Sequence, residues 1–291
     1  MTTCPPYTGL YINLDRSVER RKKIEDQLRS FDLASRYERF AAVDARDFTQ
    51  ASAMRPAEIA CFHSHYRALA HGRRSGLPVH IMEDDILLSE HLIDAAGALF
   101  SLKLFDHYDV ICTETFVNTD PRDLGLYKLA FDHALKRGEK FAEFSVIDLS
   151  QTNIAGMTSY FVSPRSIDKV IGIYEEEIKK GPRMPVDICL RLAPQENRIR
   201  IGCWFPFVTT LRLEDVVAST IPGREGQENN PRVMMLALLR YSFFINRDLE
   251  GYAKGFLDAM IGDESAKARD VHREFLLKLL EFGLSGRCRS F

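Results

Sequence analysis

Three carboxylates in succession, Glu83-Asp84-Asp85, follow directly on the apolar run Val79-His80-Ile81-Met82. Like charges this close repel one another, and burying them without a cation or hydrogen-bond donors is costly. A divalent metal offsets that cost, and carboxylate oxygens favour Mg²⁺ or Mn²⁺. The C-terminal edge of a strand in an open α/β sheet is also where ligands bind. Taken alone, an acidic triplet reads as a solvated turn. Here an apolar strand is aimed straight at it, and Ile86-Leu87-Leu88 resumes at once on the far side, without the Gly or Asn of a wide loop tip.

Three further constellations carry chemistry. In Ile12-Asn13-Leu14-Asp15-Arg16-Ser17-Val18-Glu19-Arg20, Ser17 is placed to cap a helix. The free amides of that helix's first turn, with Arg16 or Arg20, suit a phosphate. The same stretch also reads as a solvated basic helix face. In Glu58-Ile59-Ala60-Cys61-Phe62-His63-Ser64-His65 the two histidines are two apart, so on a helix they diverge and make a poor metal pair. His65 shares a stripe with Glu58 and Cys61, the setting of a satisfied core histidine. In Met184-Pro185-Val186-Asp187 a proline-fixed turn presents one carboxylate at a helix start, either as an N-cap or as a positioned base, and spacing alone favours the cap.

The elements that must position these groups alternate between strand and helix. Residues 7–14 read as a buried strand, followed by Ile24, Leu28 and Phe31 at helical spacing. Residues 57–71 read as a second helix, with Pro56 in its first turn and Gly72 as its stop. Apolar runs at 108–112, 145–149, 160–163 and 201–211 alternate with a helical pattern at 166–179, which predicts an α/β sheet covered by helices. A polar, Gly/Pro-punctuated loop at 221–231 sets a boundary, giving a domain of residues 1–222 and a helical C-terminal extension of residues 223–291. In that extension Val271, Phe275, Leu279 and Phe282 form one apolar helix face. It needs a partner: the first domain or a second copy of the chain, with a lipid surface the lesser expectation.

Composition removes several function classes. With 39 Lys+Arg against 41 Asp+Glu, the formal charge of −2 leaves no positive excess to bind nucleic acid, so an anionic ligand must be met locally. Six scattered cysteines without a Cys-x-x-Cys argue against a zinc knuckle, a thioredoxin-like centre or a disulfide scaffold, and fit a reducing compartment. The first residues lack the basic start and apolar run of a signal peptide, and no apolar stretch reaches the roughly 18 residues of a spanning helix. A cytoplasmic protein is expected, either free or peripheral to the inner membrane.

Taken in order, Tyr11-Ile12-Asn13-Leu14-Asp15-Arg16 with Glu19-Arg20, Asp44, Glu58-x-Ala60-Cys61-x-x-Ser64-His65, Met82-Glu83-Asp84-Asp85, Thr158-Ser159-Tyr160-Phe161-Val162-Ser163 and Pro185-Val186-Asp187 resemble glycosyltransferase family 25. That family contains bacterial lipooligosaccharide and lipopolysaccharide galactosyltransferases and the collagen galactosyltransferases. Six short motifs in the right order, over roughly residues 7–222, are far more specific than any one of them. The resemblance implies a GT-A type, Rossmann-like nucleotide-sugar domain. The implied reaction is inverting transfer of a hexose, galactose first, from a UDP-sugar to a hydroxyl of a glycan or lipid-linked oligosaccharide acceptor. It further implies Mn²⁺ or Mg²⁺ held by Asp85 with Glu83, a donor site bordered by Asn13, Arg16, Arg20, Ser64, His65, Glu83 and Asp84, and Asp187 as the base. The rival readings are a metal-dependent phosphoesterase or nucleotidyltransferase, and a non-catalytic nucleotide-sugar binder.

Overall fold

The computed structural model describes residues 6–48, 54–116, 125–127, 129–130, 145–150, 152, 157–212, 215, 237, 239–246 and 248. The chain opens with β1 (Thr8–Asn13), α1 (Val18–Ser30), β2 (Tyr37–Ala41), α2 (Pro56–Gly72) and β3 (Val79–Glu83). After a two-residue turn come β4 (Ile86–Leu88), α3 (Leu92–Ser101) and β5 (Val110–Cys112). Then follow β6 (Ser145–Asp148), β7 (Ser159–Val162), α4 (Ile167–Lys179), α5 (Val186–Gln195), β8 (Ile201–Phe205) and β9 (Thr209–Leu211). Seven strands form one mixed sheet in the order β2-β1-β3-β7-β5-β8-β6, and β4 pairs antiparallel with β9 in a second, two-stranded sheet. The expected α/β class is observed.

Alternation along the central strands divides the core in two. Leu10, Ile12, Val79, Ile81 and Val162 face α2, α4 and α5, while Tyr11, Met82, Ile111 and Phe161 face α1 and α3. β3 is apolar on both faces because both are covered. β1 pairs parallel with β2 on one side and with β3 on the other. The strand order therefore reverses between β1 and β3, with α1 and α2 on opposite faces, and such a reversal opens a crevice at the strands' C-terminal ends. Asn13 ends β1 there and Glu83 ends β3.

A buried hydrogen-bond chain fixes β3 against its neighbours. His80 Nδ1 meets the Tyr37 hydroxyl at 2.5 Å and His80 Nε2 meets Ser159 Oγ at 3.0 Å. Thr113 Oγ1 donates to Ser159 Oγ at 2.6 Å and lies 2.8 Å from Thr209 Oγ1 in β9. Burial pushes the His80 imidazole down to about 3, so the chain is uncharged at neutral pH. A slip of register would break every link, so the chain pins the end of β3 relative to β9.

Three sequence expectations change. α2 ends at Gly72 as expected, but not by a left-handed glycine: the chain passes on into a 3-10 turn, Arg73–Ser75, and the left-handed residue is Gly76 at φ 67°. Gly72 itself is helical and serves packing, since a Cβ there would lie 2.7 Å from Val79 Cγ1. The run at 201–211 is two strands, broken at Pro206, which has no N–H to donate. Just beyond, the Phe207 N–H donates to Phe243 O at 2.9 Å and Ile245 N–H to Phe207 O at 2.9 Å, and Phe243 joins the core. Ser17 stands at the N-cap of α1, but its side chain makes no cap bond. The 222/223 boundary and the stripe Val271, Phe275, Leu279 and Phe282 lie outside the described residues. Among the described residues no helix is long and apolar enough to cross a membrane.

A pair of glycine substitutions tests this packing. Gly72→Ala gains about 1 kcal/mol of helix propensity but drives a methyl into the stiff, branched Val79, at about 1–3 kcal/mol, so a net loss is expected. Gly97→Ala in α3 meets nothing within 4 Å and should stabilise by about 0.5–1 kcal/mol. Urea midpoints at unchanged slope measure both. Equal shifts for the two variants would contradict the close approach.

Candidate active site

The turn between β3 and β4 consists of Asp84 and Asp85 alone, so both carboxylates are delivered to the β1/β3 crevice with little backbone freedom. Asn13, 1% exposed, donates its Nδ2 to Asp84 Oδ2 at 2.6 Å and to Ser17 O at 3.1 Å. Its own Oδ1 and backbone O accept from Arg39 of β2, at 3.0 and 3.2 Å. A neutral donor thus holds one acid, and a guanidinium from the neighbouring strand holds the donor.

Two arginines close the turn from opposite sides. Arg20, in the first turn of α1, lies 3.4 Å from Asp84 Oδ1, 3.5 Å from Asp85 Oδ2 and 3.2 Å from Asp215 Oδ1. Burial opposes its charge, but Asp85, Asp215 and Asp84 outweigh burial and raise it. Arg212, just past β9, donates Nη2 to Asp84 O at 2.7 Å and its backbone N–H to Asp85 O at 3.1 Å, and pairs with Asp215. Among the described residues the carboxylates of Asp84, Asp85 and Asp215 stand against the guanidiniums of Arg20 and Arg212, and Glu83 adds its charge from the other face. Burial pushes the Asp85 carboxyl up to about 7, with Glu83 adding to the rise and Arg20 opposing it. Asp84 also rises through burial, against the pull of Asn13 and Arg20.

Two atoms of this cluster are enclosed and unsatisfied: Asp85 Oδ1, an acceptor, and Arg212 Nη1, a donor. Buried polar atoms are rarely left unpaired, and an orphan of each sign beside one turn fits a cation together with an anion. Asp85 is therefore the residue best placed to hold a hard divalent metal.

The other predicted residues are distributed around this centre. Glu83 turns to the opposite face, where its Oε1 is 3.3 Å from Nε2 of the fully buried His65. His65 Nδ1 is 3.0 Å from the Tyr160 hydroxyl, so His65 is a satisfied core histidine that also touches Glu83, the last residue of β3. Ser64 is committed to structure: its hydroxyl donates to Ala60 O at 2.7 Å and accepts the Val43 N–H at 2.8 Å. Through that bond Ser64 holds the segment bearing Asp44, which pairs with Arg16. Arg16 therefore stands at the rim, tied to Asp44. Asp187 occupies the second position of α5, inside the N-cap Pro185, with Oδ1 accepting the Ile188 N–H at 2.9 Å. Asp187 is therefore not the cap residue, although a carboxylate suits the positive helix end.

Sequence reasoning missed Arg39, Arg212 and Asp215. The signal for the last two was present: the apolar run ending at Leu211 passes straight into Arg212-Leu213-Glu214-Asp215, the same pattern of strand into charge that marks Glu83-Asp84-Asp85. A further buried pair, Glu114 with Arg240, also lies beyond the motifs. Both its members bond the Thr158 hydroxyl, and the backbone O of Thr158 accepts the Glu83 N–H at 2.8 Å.

The raised Asp85 carboxyl makes stability depend on pH. Below about pH 4 the group is protonated whether the chain is folded or not, and it costs nothing. As pH rises, the unfolded chain ionises first, so stability falls until Asp85 itself ionises near 7. Asp85→Asn should therefore raise Tm by at least about 2 °C at about pH 8 and have little effect at about pH 4. Calorimetry in metal-free buffer measures this, and an equal gain at both pH values would contradict the assignment.

Among curated proteins none matches the chain. The model of glycosyltransferase family 25, described as LPS biosynthesis protein, matches residues 8–190, well over half of the chain and everything from β1 into α5. With the acidic turn at the β1/β3 crevice inside that match, the chain belongs to glycosyltransferase family 25 and is a glycosyltransferase.

Proposed function

We propose that the protein transfers a hexose, galactose in the first instance, from a UDP-sugar to a hydroxyl of a glycan or lipid-linked oligosaccharide, with inversion, on a GT-A type fold. The observation that carries this reading is the pair of enclosed orphans, Asp85 Oδ1 and Arg212 Nη1. Together they suit a metal and a diphosphate bound side by side. Family membership speaks against both the phosphoesterase or nucleotidyltransferase alternative and the non-catalytic binder.

Asp85, with Asp84 adjoining, would hold Mn²⁺ or Mg²⁺, which when bound would neutralise the leaving diphosphate; Glu83, paired with Asp85 in the sequence reading, is turned to His65 instead. Arg212 and Arg20 add fixed positive charge on the same side, and Asn13 holds Asp84 in place while opposing the rise that burial imposes on its carboxyl. Arg16 borders the donor and Ser64 supports that rim through the segment it anchors, whereas His65, expected at the donor, is buried on the opposite face against Tyr160 and Glu83. The acceptor oxygen attacks the anomeric carbon as the bond to the diphosphate oxygen breaks. Its proton passes to the Asp187 carboxylate, and UDP departs. Residues 223–291 are assigned to packing on the catalytic domain or on a second copy of the chain, with a membrane contact the lesser alternative. The packing of Phe243 on Phe205 and Phe207 supports a C-terminal segment folded back on the catalytic part.

A panel of UDP-sugars, with and without EDTA, tests the donor and the metal. UDP-galactose with Mn²⁺ should be consumed fastest, and Asp85→Ala should remove at least about 100-fold of the rate. Asp187→Asn retains the oxygen that accepts from Ile188 but not the basicity. It should lower kcat by about 10²–10⁴-fold with the donor KM little changed. Full turnover by the Asn variant would place the base elsewhere, and full rate in EDTA would remove the metal from the account.

A further inference from the structure

We infer a second cation site, for a zinc-class ion, built by Cys61, His65 and Glu83 on the face of the sheet opposite Asp85. The thiol sulfur, an imidazole nitrogen and a carboxylate oxygen lie within 4.8 Å of one another. Cys61 and His65 stand one turn apart on α2, so they share a face, and Glu83 is the last residue of β3. One sulfur, one nitrogen and one oxygen suit a borderline ion in four-coordinate geometry with one position left open, whereas Mg²⁺ and Mn²⁺ prefer oxygen alone. His65 is fully buried, but the Glu83 side chain is 31% exposed, which gives an ion a route in from solvent.

The surroundings of His65 are those of an oriented ligand. Its ring lies nearly parallel to that of Tyr160, at 13° with centroids 5.8 Å apart, and the Tyr160 hydroxyl sits 3.0 Å from Nδ1. Without an ion, Nε2–H donates to Glu83 Oε1 at 3.3 Å and Nδ1 accepts the Tyr160 O–H. With an ion, His65 carries its proton on Nδ1 and donates it to Tyr160 Oη, which frees the Nε2 lone pair. Tyr160 then donates to the Tyr174 hydroxyl, 3.4 Å away. His65 keeps one proton throughout and Cys61 releases one to solvent, so the balance is a single proton lost per ion bound. Such an ion draws Glu83 to α2 and leaves the Asp84-Asp85 turn to the site described above.

The test does not depend on transferase activity. Metal-free full-length chain, kept reduced, is titrated with Co²⁺. The expected spectrum has a thiolate-to-cobalt charge-transfer band in the near ultraviolet and intense visible bands of four-coordinate cobalt. These should saturate at a single equivalent and be displaced by Zn²⁺. Cys61→Ser should abolish the charge-transfer band, and Asp85→Asn should leave it intact. In the unmodified chain, Zn²⁺ should slow alkylation of Cys61, located by peptide mapping, a readout that needs no variant to fold. No charge-transfer band, a band that survives Cys61→Ser, or alkylation of Cys61 at one rate with and without Zn²⁺ would overturn the site.

Discussion

At the crevice between β1 and β3, the Asp84-Asp85 turn is enclosed with more negative charge than the described residues around it neutralise. Arg20 and Arg212 face Asp84, Asp85 and Asp215, Glu83 adds negative charge from the other face, and Asn13 adds a neutral donor. Buried carboxylates are costly, and removing a partner costs more than the pair itself contributes. What remains unpaired is one anionic oxygen on Asp85 and one cationic N–H on Arg212. The cluster is thus incomplete in both signs at once, the condition expected of a site whose ligand is a metal carried on a phosphate. The raised Asp85 carboxyl is the same deficit expressed as a proton affinity.

The rest of the fold keeps this turn short and stationary. Parallel register sets Ile12 beside Glu83, so the ends of β1 and β3 are level. The hydrogen-bond chain from Tyr37 through His80, Ser159 and Thr113 to Thr209 fixes β9, and with it Arg212, relative to β3. Ser64 does comparable work at the rim, holding the segment whose Asp44 restrains Arg16. The Glu114–Arg240 pair reaches the turn indirectly, through Thr158 and the Glu83 N–H. A fold of this kind concentrates its polar network at one end because only there do strands, helix start and second sheet converge.

Local signals in the sequence were enough to place β1, α2 and β3 and to single out Glu83-Asp84-Asp85, because each rests on a run of neighbouring residues. β2 was not legible: Tyr37-Glu38-Arg39-Phe40-Ala41 is an edge strand with charged residues among its apolar ones, and its strand character comes from pairing with β1. Gly72 was legible as a punctuator but not as a packing residue, since its reason is Val79. Arg212 and Asp215 were out of reach as partners of the acidic turn because they arrive from more than a hundred residues away through β9. Counting cysteines set aside zinc motifs written as Cys-x-x-Cys, yet could not see a helix and a strand end bringing Cys61, His65 and Glu83 together. The division of the triplet between two faces is likewise a property of the end of β3, where alternation sends Glu83 toward α2 and the turn returns Asp84 and Asp85 to α1.

The central claim is that the deficit at Asp85 and Arg212 is filled by a divalent cation and a nucleoside diphosphate that bind as a pair. Isothermal titration of UDP into the protein, with and without Mn²⁺, for wild type and for Asp85→Asn, addresses it directly. Mn²⁺ should tighten UDP at least about tenfold, UDP should tighten Mn²⁺ by the same factor, and both effects should vanish in the variant. Equal UDP affinity with and without the cation, or coupling that survives the loss of the Asp85 carboxylate, would contradict the account.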